Sequence, residues 1–229
     1  ACRENTKASG KPIMIGFNRR FDPNFSAMKT ALDAGEIGKP ELLSITSFDP
    51  APPPVAYIKV SGGLFRDMMI HDFDMANFMM GEAPVSIMAA GSSIVDAEIG
   101  AAGDVDTAAV TMTYADGRIC VIKNSRRAVY GYDQRVELLG AEGLLQAQNM
   151  LENTVVKSTT AGVTGAKPTY FFLERYMPSY AKEWGAFVDA LTGGTALPVT
   201  LDDGITALAM AEAATKSAKT GQPVRLADV

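Results

Sequence analysis

The chain is poor in the residues that build metal cages and disulfide frameworks: it has two cysteines, Cys2 and Cys120, and a single histidine, His71. Two thiols so far apart imply neither a disulfide scaffold nor a thiolate cluster. No apolar run approaches the ~20 residues that span a bilayer, and the first residues lack the apolar stretch of a signal peptide. Long basic runs are missing as well, and the net charge of −5 argues against a nucleic-acid partner. A cytoplasmic protein with no membrane partner is expected. What is present is ordinary globular composition, 47% hydrophobic and 21% charged over 229 residues, which excludes disordered and low-complexity classes. A chain of this length can bury about 70% of its unfolded surface, enough for a substantial core.

Gly10 and Pro12 end a short helical stretch over residues 1–9 and precede a short apolar strand, Ile13 to Phe17. Asp22 and Pro23 open a helix reaching Ala34, with Gly35 beyond it. Glu41 to Phe48 reads as a strand running into Asp49-Pro50-Ala51-Pro52-Pro53-Pro54, where the prolines force extended backbone. Gly62-Gly63 starts a helix from about Leu64 to Met80. Asp116-Gly117 predicts a hairpin between strands at 106–114 and 118–125, and a second Gly-containing turn separates strands at 135–139 and 144–148. Two helices follow, 171–192 and one opened by a Thr200…Asp203 capping box and running to about Thr220. Strands clustered between helices predict an α+β fold with an open, mixed, mainly antiparallel sheet, one face of which the helices at 23–34, 64–80, 171–192 and 202–219 cover.

Any imidazole chemistry must use His71. Asp67 lies four residues before it, a spacing that on one helix places a carboxylate beside the ring and suits general acid–base work. The same spacing equally fits a histidine satisfied by a neighbouring acid beneath the sheet. A cation held by His71 with Asp67, Asp72 and Asp74 is a third reading, disfavoured by the shortage of further ligands, so no metal is expected. Tyr130 and Tyr132, two apart, would share a face of an extended segment beside Asp133, which suits a polyol or simply an edge strand. Asn18-Arg19-Arg20 could hold phosphate or carboxylate, or be a solvated loop. Trp184 and the Phe171-Phe172 pair read as core packing, and the twelve methionines as adaptable filling.

Taken together, Gly16-Phe-Asn-Arg-Arg-Phe-Asp-Pro23, Gly62-Gly-Leu-Phe-Arg-Asp67-Met-Met-Ile-His71-Asp-Phe-Asp74, Tyr130-Gly-Tyr-Asp133 and Phe171-Phe-Leu-Glu-Arg-Tyr176 resemble the Gfo/Idh/MocA oxidoreductases. Within that family the similarity points to the bacterial inositol 2-dehydrogenases. The resemblance implies an N-terminal Rossmann domain for NAD or NADP and a C-terminal α+β domain that builds the substrate site and, through its open sheet face, a homo-oligomer. It implies His71 as proton acceptor for an oxidised hydroxyl with Asp67 as its polar partner. Tyr130, Tyr132 and Asp133 would line a polyol pocket, Asp49 would contact substrate, and Asn18 and Arg19 would flank the nicotinamide.

One departure is large. Neither a Gly-x-Gly-x-x-Gly turn nor the family's Glu-Lys-Pro motif occurs. Residues 1–17 are therefore expected to be the remnant of the last helix and strand of a nucleotide-binding domain, and 18–229 the substrate and oligomerisation domain. The 229-residue chain alone is expected to bind no dinucleotide and to oxidise no inositol. Two alternatives stay open: a non-catalytic oligomerisation module, and a relative that processes glycosides with NAD.

Overall fold

The computed structural model describes residues 2–229. Ala1, where the expected nucleotide-domain remnant begins, lies outside them. The opening helix α1 (Cys2–Ser9) ends at Gly10 as its sequence requires. The strand expected over Ile13 to Phe17 does not form; this segment joins no ladder. It crosses the start of the last long helix instead, where Ile15 sits so close to Gly204 that a Cβ there would stand 3.1 Å from it.

A short 3-10 turn (Asn18–Phe21) leads into α2 (Pro23–Asp33), whose cap Asp22 accepts the amides of Asn24 and Phe25 at 2.9 and 3.2 Å. Then come β1 (Pro40–Phe48), α3 (Val55–Ser61), α4 (Leu64–Asp67) and α5 (Ile70–Met80). The middle of the chain supplies β2 (Ser86–Ser92), α6 (Ala97–Ala101), β3 (Thr107–Thr113), β4 (Ile119–Ser125), β5 (Asp133–Gly140) and β6 (Gly143–Ala147). A small exposed hairpin, β7 (Val156–Thr159) and β8 (Gly162–Gly165), precedes α7 (Phe172–Gly193), α8 (Leu201–Thr220) and the short β9 (Val224–Arg225). The Thr200–Asp203 capping box forms.

The seven main strands run in the order β6-β5-β1-β4-β3-β2-β9, and β1–β4 is the one parallel pair among them. The fold is thus α+β with a mixed, mainly antiparallel sheet, as its alternating strands and Asp-Gly turn predict. Leu43 and Ile45, Val110 and Met112, Cys120 and Ile122, and Val136 and Leu138 point to one face. There α2, α5 and α8 close the core, filled by Met69, Met75, Met79 and Met210. The expectation that α7 covers the sheet too is corrected: it packs chiefly on the Asn18–Phe21 turn. The opposite sheet face is open. Register places Leu144, Leu139, Leu42 and Ile119 in a row across β6, β5, β1 and β4, each between 39 and 47% exposed.

Candidate active site

A cleft of about 830 Å³ opens at the C-terminal ends of β1 and β4, beneath α7. Its size suits a small polar molecule. Three of the expected segments meet there. The 3-10 turn contributes Asn18 and Arg19, the proline loop contributes Asp49 to Pro54, and the α4–α5 region contributes Asp67, Met68 and His71. Tyr132, Arg126 and the α7 residues Tyr176 and Tyr180 complete it with Tyr57, Tyr170, Phe171 and Phe172.

His71 stands at the second position of α5, edge-on to Phe17 with ring centroids 5.9 Å apart. Its Nδ1 is buried without a hydrogen-bond partner. Burial, reinforced by the Arg19 guanidinium, pushes the imidazole down to about 3, so the ring is held neutral.

The hydrogen bonds of Asp67 go elsewhere. The helix expected over 64–80 is interrupted: the Met69 amide reaches back five residues to the Leu64 carbonyl at 2.9 Å, and that of Asp72 only three, to Met69. The wide and then tight turns break the i,i+4 geometry on which the pairing rested. Asp67 accepts the Tyr57 hydroxyl at 2.5 Å and an Arg126 nitrogen at 3.2 Å, and no hydrogen bond joins it to His71 among the described residues. Both line the same cleft.

The floor is a buried polar network. Arg19 pairs with Asp72, which also accepts the Asn124 amide at 2.8 Å. Arg19 reaches Ser47 at 3.3 Å, and the Ser47 hydroxyl donates to Gln134 at 3.0 Å. Asn18 Nδ2 is buried and unpaired. Asp49 is held through its backbone, its amide donating to Ser125 O at 2.9 Å and its carbonyl accepting from Ala128 at 2.7 Å. Its carboxylate makes no hydrogen bond among the described residues, unlike Asp67 and Asp72. Burial pushes it up to about 6, against the pull of Arg126 and Arg19.

The expected tyrosine pair divides. Gly131, at φ +130°, turns the backbone between them, a conformation other residues rarely adopt. Tyr132 is buried in the cleft wall, its ring edge-on to Tyr176 at 6.1 Å. Tyr130 points away and donates to Asp133 at 2.6 Å, and Asp133 also accepts two nitrogens of Arg135 at 2.8 and 2.9 Å. Tyr130 and Asp133 do not line the cleft, because they occupy a turn and a strand start rather than one extended face. Trp184 is 68% exposed and Phe171 and Phe172 form the cleft rim, so none of the three fills the core.

Arg126, Tyr57, Tyr170 and Tyr180 had no signal in the sequence. Tyr176 stood in a family-like segment without a role. Among the described residues no His, Cys, Asp and Glu side chains group as a metal site, and no helix is long and apolar enough to cross a membrane.

Residues 25–146 match the GFO/IDH/MocA C-terminal domain. A curated relative, the myo-inositol 2-dehydrogenase of Thermotoga maritima, is 50% identical over 226 residues, covering 99% of this chain and 68% of its own length. The crystal structure of a myo-inositol dehydrogenase from Corynebacterium glutamicum superposes with a TM-score of 0.94 at 42% identity, covering 98% of this chain and 68% of that one. The scyllo-inositol dehydrogenase of Lactobacillus casei, solved with NAD(H) and scyllo-inositol, gives 0.89 at 27% identity over 98% of this chain and 68% of that one. This chain thus spans about two thirds of the length of these proteins. With more than half of the chain matching that domain and a relative 50% identical over nearly its whole length, the chain belongs to the GFO/IDH/MocA family of oxidoreductases.

Proposed function

We propose that this chain is the substrate domain of a cytoplasmic NAD-dependent dehydrogenase that oxidises one hydroxyl of an inositol or a related polyol to the ketone. The observation that carries the reading is a neutral, unpartnered imidazole facing the same small cleft as an unpartnered carboxylate. His71 accepts the hydroxyl proton as the carbon is oxidised. Asp49 accepts a hydrogen bond from another substrate hydroxyl, and Tyr132 offers its own. Asp67, tied to Tyr57 and Arg126, is a fixed wall of the site rather than the orienter of His71. Arg19 is paired with Asp72 and Arg126 with Asp67, so each cleft guanidinium already has a carboxylate counter-ion, which favours an uncharged polyol over an acidic substrate.

The cleft also fits a nicotinamide. Asn18 Nδ2 is a buried donor without an acceptor, suited to a carboxamide oxygen, and Arg19 lies beside it. Nicotinamide, when bound, supplies the hydride acceptor. We assign residues 1–17 to the end of a nucleotide-binding domain and 18–229 to the substrate domain, so the chain by itself is inactive. The apolar row on the open sheet face pairs with a second copy.

The test is NADH formation by the full-length enzyme with inositol isomers, hexoses and a sugar acid. Uncharged polyols should support turnover and the acid should not. Tyr132→Phe should raise KM with little loss of kcat, the mark of one lost hydroxyl contact worth roughly 0.5–1.5 kcal/mol. Turnover confined to the acid would refute the reading.

A further inference from the structure

Arg126 has no task in the proposed reaction, and any role for it in this cleft rests on that polyol reading. Phe48 and Ser125 pair in the parallel register, so Asp49 and Arg126 leave neighbouring strand ends side by side. The Arg126 amide donates to the Asp106 carbonyl at 2.8 Å, and the Asp106 carboxylate gathers the amides of Ile94, Val95 and Asp96 at 3.1, 2.9 and 3.0 Å. The backbone under the guanidinium is therefore fixed. One of its nitrogens donates to Asp67 at 3.2 Å and lies 4.0 Å from Asp104. Asp104 accepts the Leu64 amide, the first of α4, at 2.9 Å. Gly63 permits that approach, since a Cβ there would stand 2.7 Å from the Asp104 oxygen. A helix of four residues cannot hold itself, and α4 carries Asp67 at its end.

Arg126 is 1% exposed, yet its Nε has no partner. An arginine buried in that state is a poor stabilising device, because an apolar side chain of similar size would cost the fold less. Its placement is explained by the cleft. We propose that Arg126 is the positioning residue of this site: its cation braces α4 between Asp104 and Asp67 and keeps Asp49 as the free carboxylate that receives a substrate hydroxyl.

The other charged groups acting on Asp49 are Arg19 of the 3-10 turn, which supports the carboxylate, and Asp72 of α5 and Asp67 of α4, which oppose it. Tyr132, ahead of β5, and His71, on α5, line the same cleft uncharged. Arg126 is the strongest of the supporting charges.

The experiment compares wild type, Arg126→Gln, Arg126→Lys and Asp67→Asn in the full-length enzyme. It follows polyol-dependent kcat/KM against pH and the 13C carboxyl resonance of Asp49, assigned with Asp49→Asn. Removing a nearby cation disfavours the ionised form, so Arg126→Gln should move the Asp49 midpoint and the acid limb of kcat/KM up by about one pH unit or more. Arg126→Lys should restore most of that shift. Asp67→Asn, which removes an opposing carboxylate and leaves Arg126 in place, should move the Asp49 midpoint down. Unchanged midpoints in the arginine variants, or an unchanged or raised midpoint in Asp67→Asn, would overturn the proposal and leave Arg126 a structural residue. Absence of polyol turnover in wild type would remove the polyol reading, while the Asp49 resonance would still decide the role of Arg126.

Discussion

His71 and Asp49 share one cleft, but burial acts on them in opposite directions. It disfavours whichever form is charged, so it lowers the histidine to about 3 and raises the carboxyl to about 6. Above pH 6 the cleft therefore holds a neutral imidazole and an ionised carboxylate. As pH falls through about 6, Asp49 takes a proton while His71 stays neutral, so under the proposed reaction the acid limb of kcat/KM should follow the carboxyl. Asp49→Asn should flatten that limb, and an unaltered limb in the variant would assign it elsewhere. The sequence singled out His71 because it is the only imidazole, and Asp49, in the proline loop, only through the family resemblance. It could not reveal Arg126 or Tyr57. An Arg126-Arg127 pair after a strand reads as solvated loop, and which of the two turns inward depends on the partner strand. Tyr57 reaches Asp67 from a helix hidden behind three successive prolines.

The elements themselves were written in local signals where those signals were complete. Asp22-Pro23 and Thr200…Asp203 start helices, and Asp116-Gly117 makes the hairpin. Local signals failed where a segment's state depends on distant neighbours. Ile13 to Phe17 is apolar enough for a strand but finds no edge to join. The 64–80 segment has helical periodicity throughout, yet its backbone bonding widens to five residues at Met69, and Asp67 bonds to Tyr57 and Arg126. The turn bearing Asn18 and Arg19 is anchored by a buried pair, Asp22 with Arg175 of α7, both essentially inaccessible. Asp22→Ala removes the α2 cap and leaves the Arg175 charge unpaired, and should cost about 3–5 kcal/mol in urea unfolding. A loss under about 1 kcal/mol would show that α7 is held there by something else.

At the scale of the whole molecule, the sheet buries one face under helices and leaves the other with an apolar row open to water. Leu42, Leu139, Leu144 and Ile119 sit on four adjacent strands and form the row proposed to pair with a second copy. Leu42→Asp with Leu139→Asp should convert a dimer or larger assembly to monomer in light scattering at micromolar concentration. An unchanged mass would place the interface elsewhere. The cleft lies at the strand ends, away from that face, so the monomer should retain its fold. The most direct measurement of the proposed chemistry is polyol-dependent NADH formation by the full-length enzyme, wild type against His71→Ala. Loss of the proton acceptor should lower kcat by about 10²–10⁴-fold with the melting temperature preserved. Wild-type turnover by a folded His71→Ala enzyme would contradict His71 as the base.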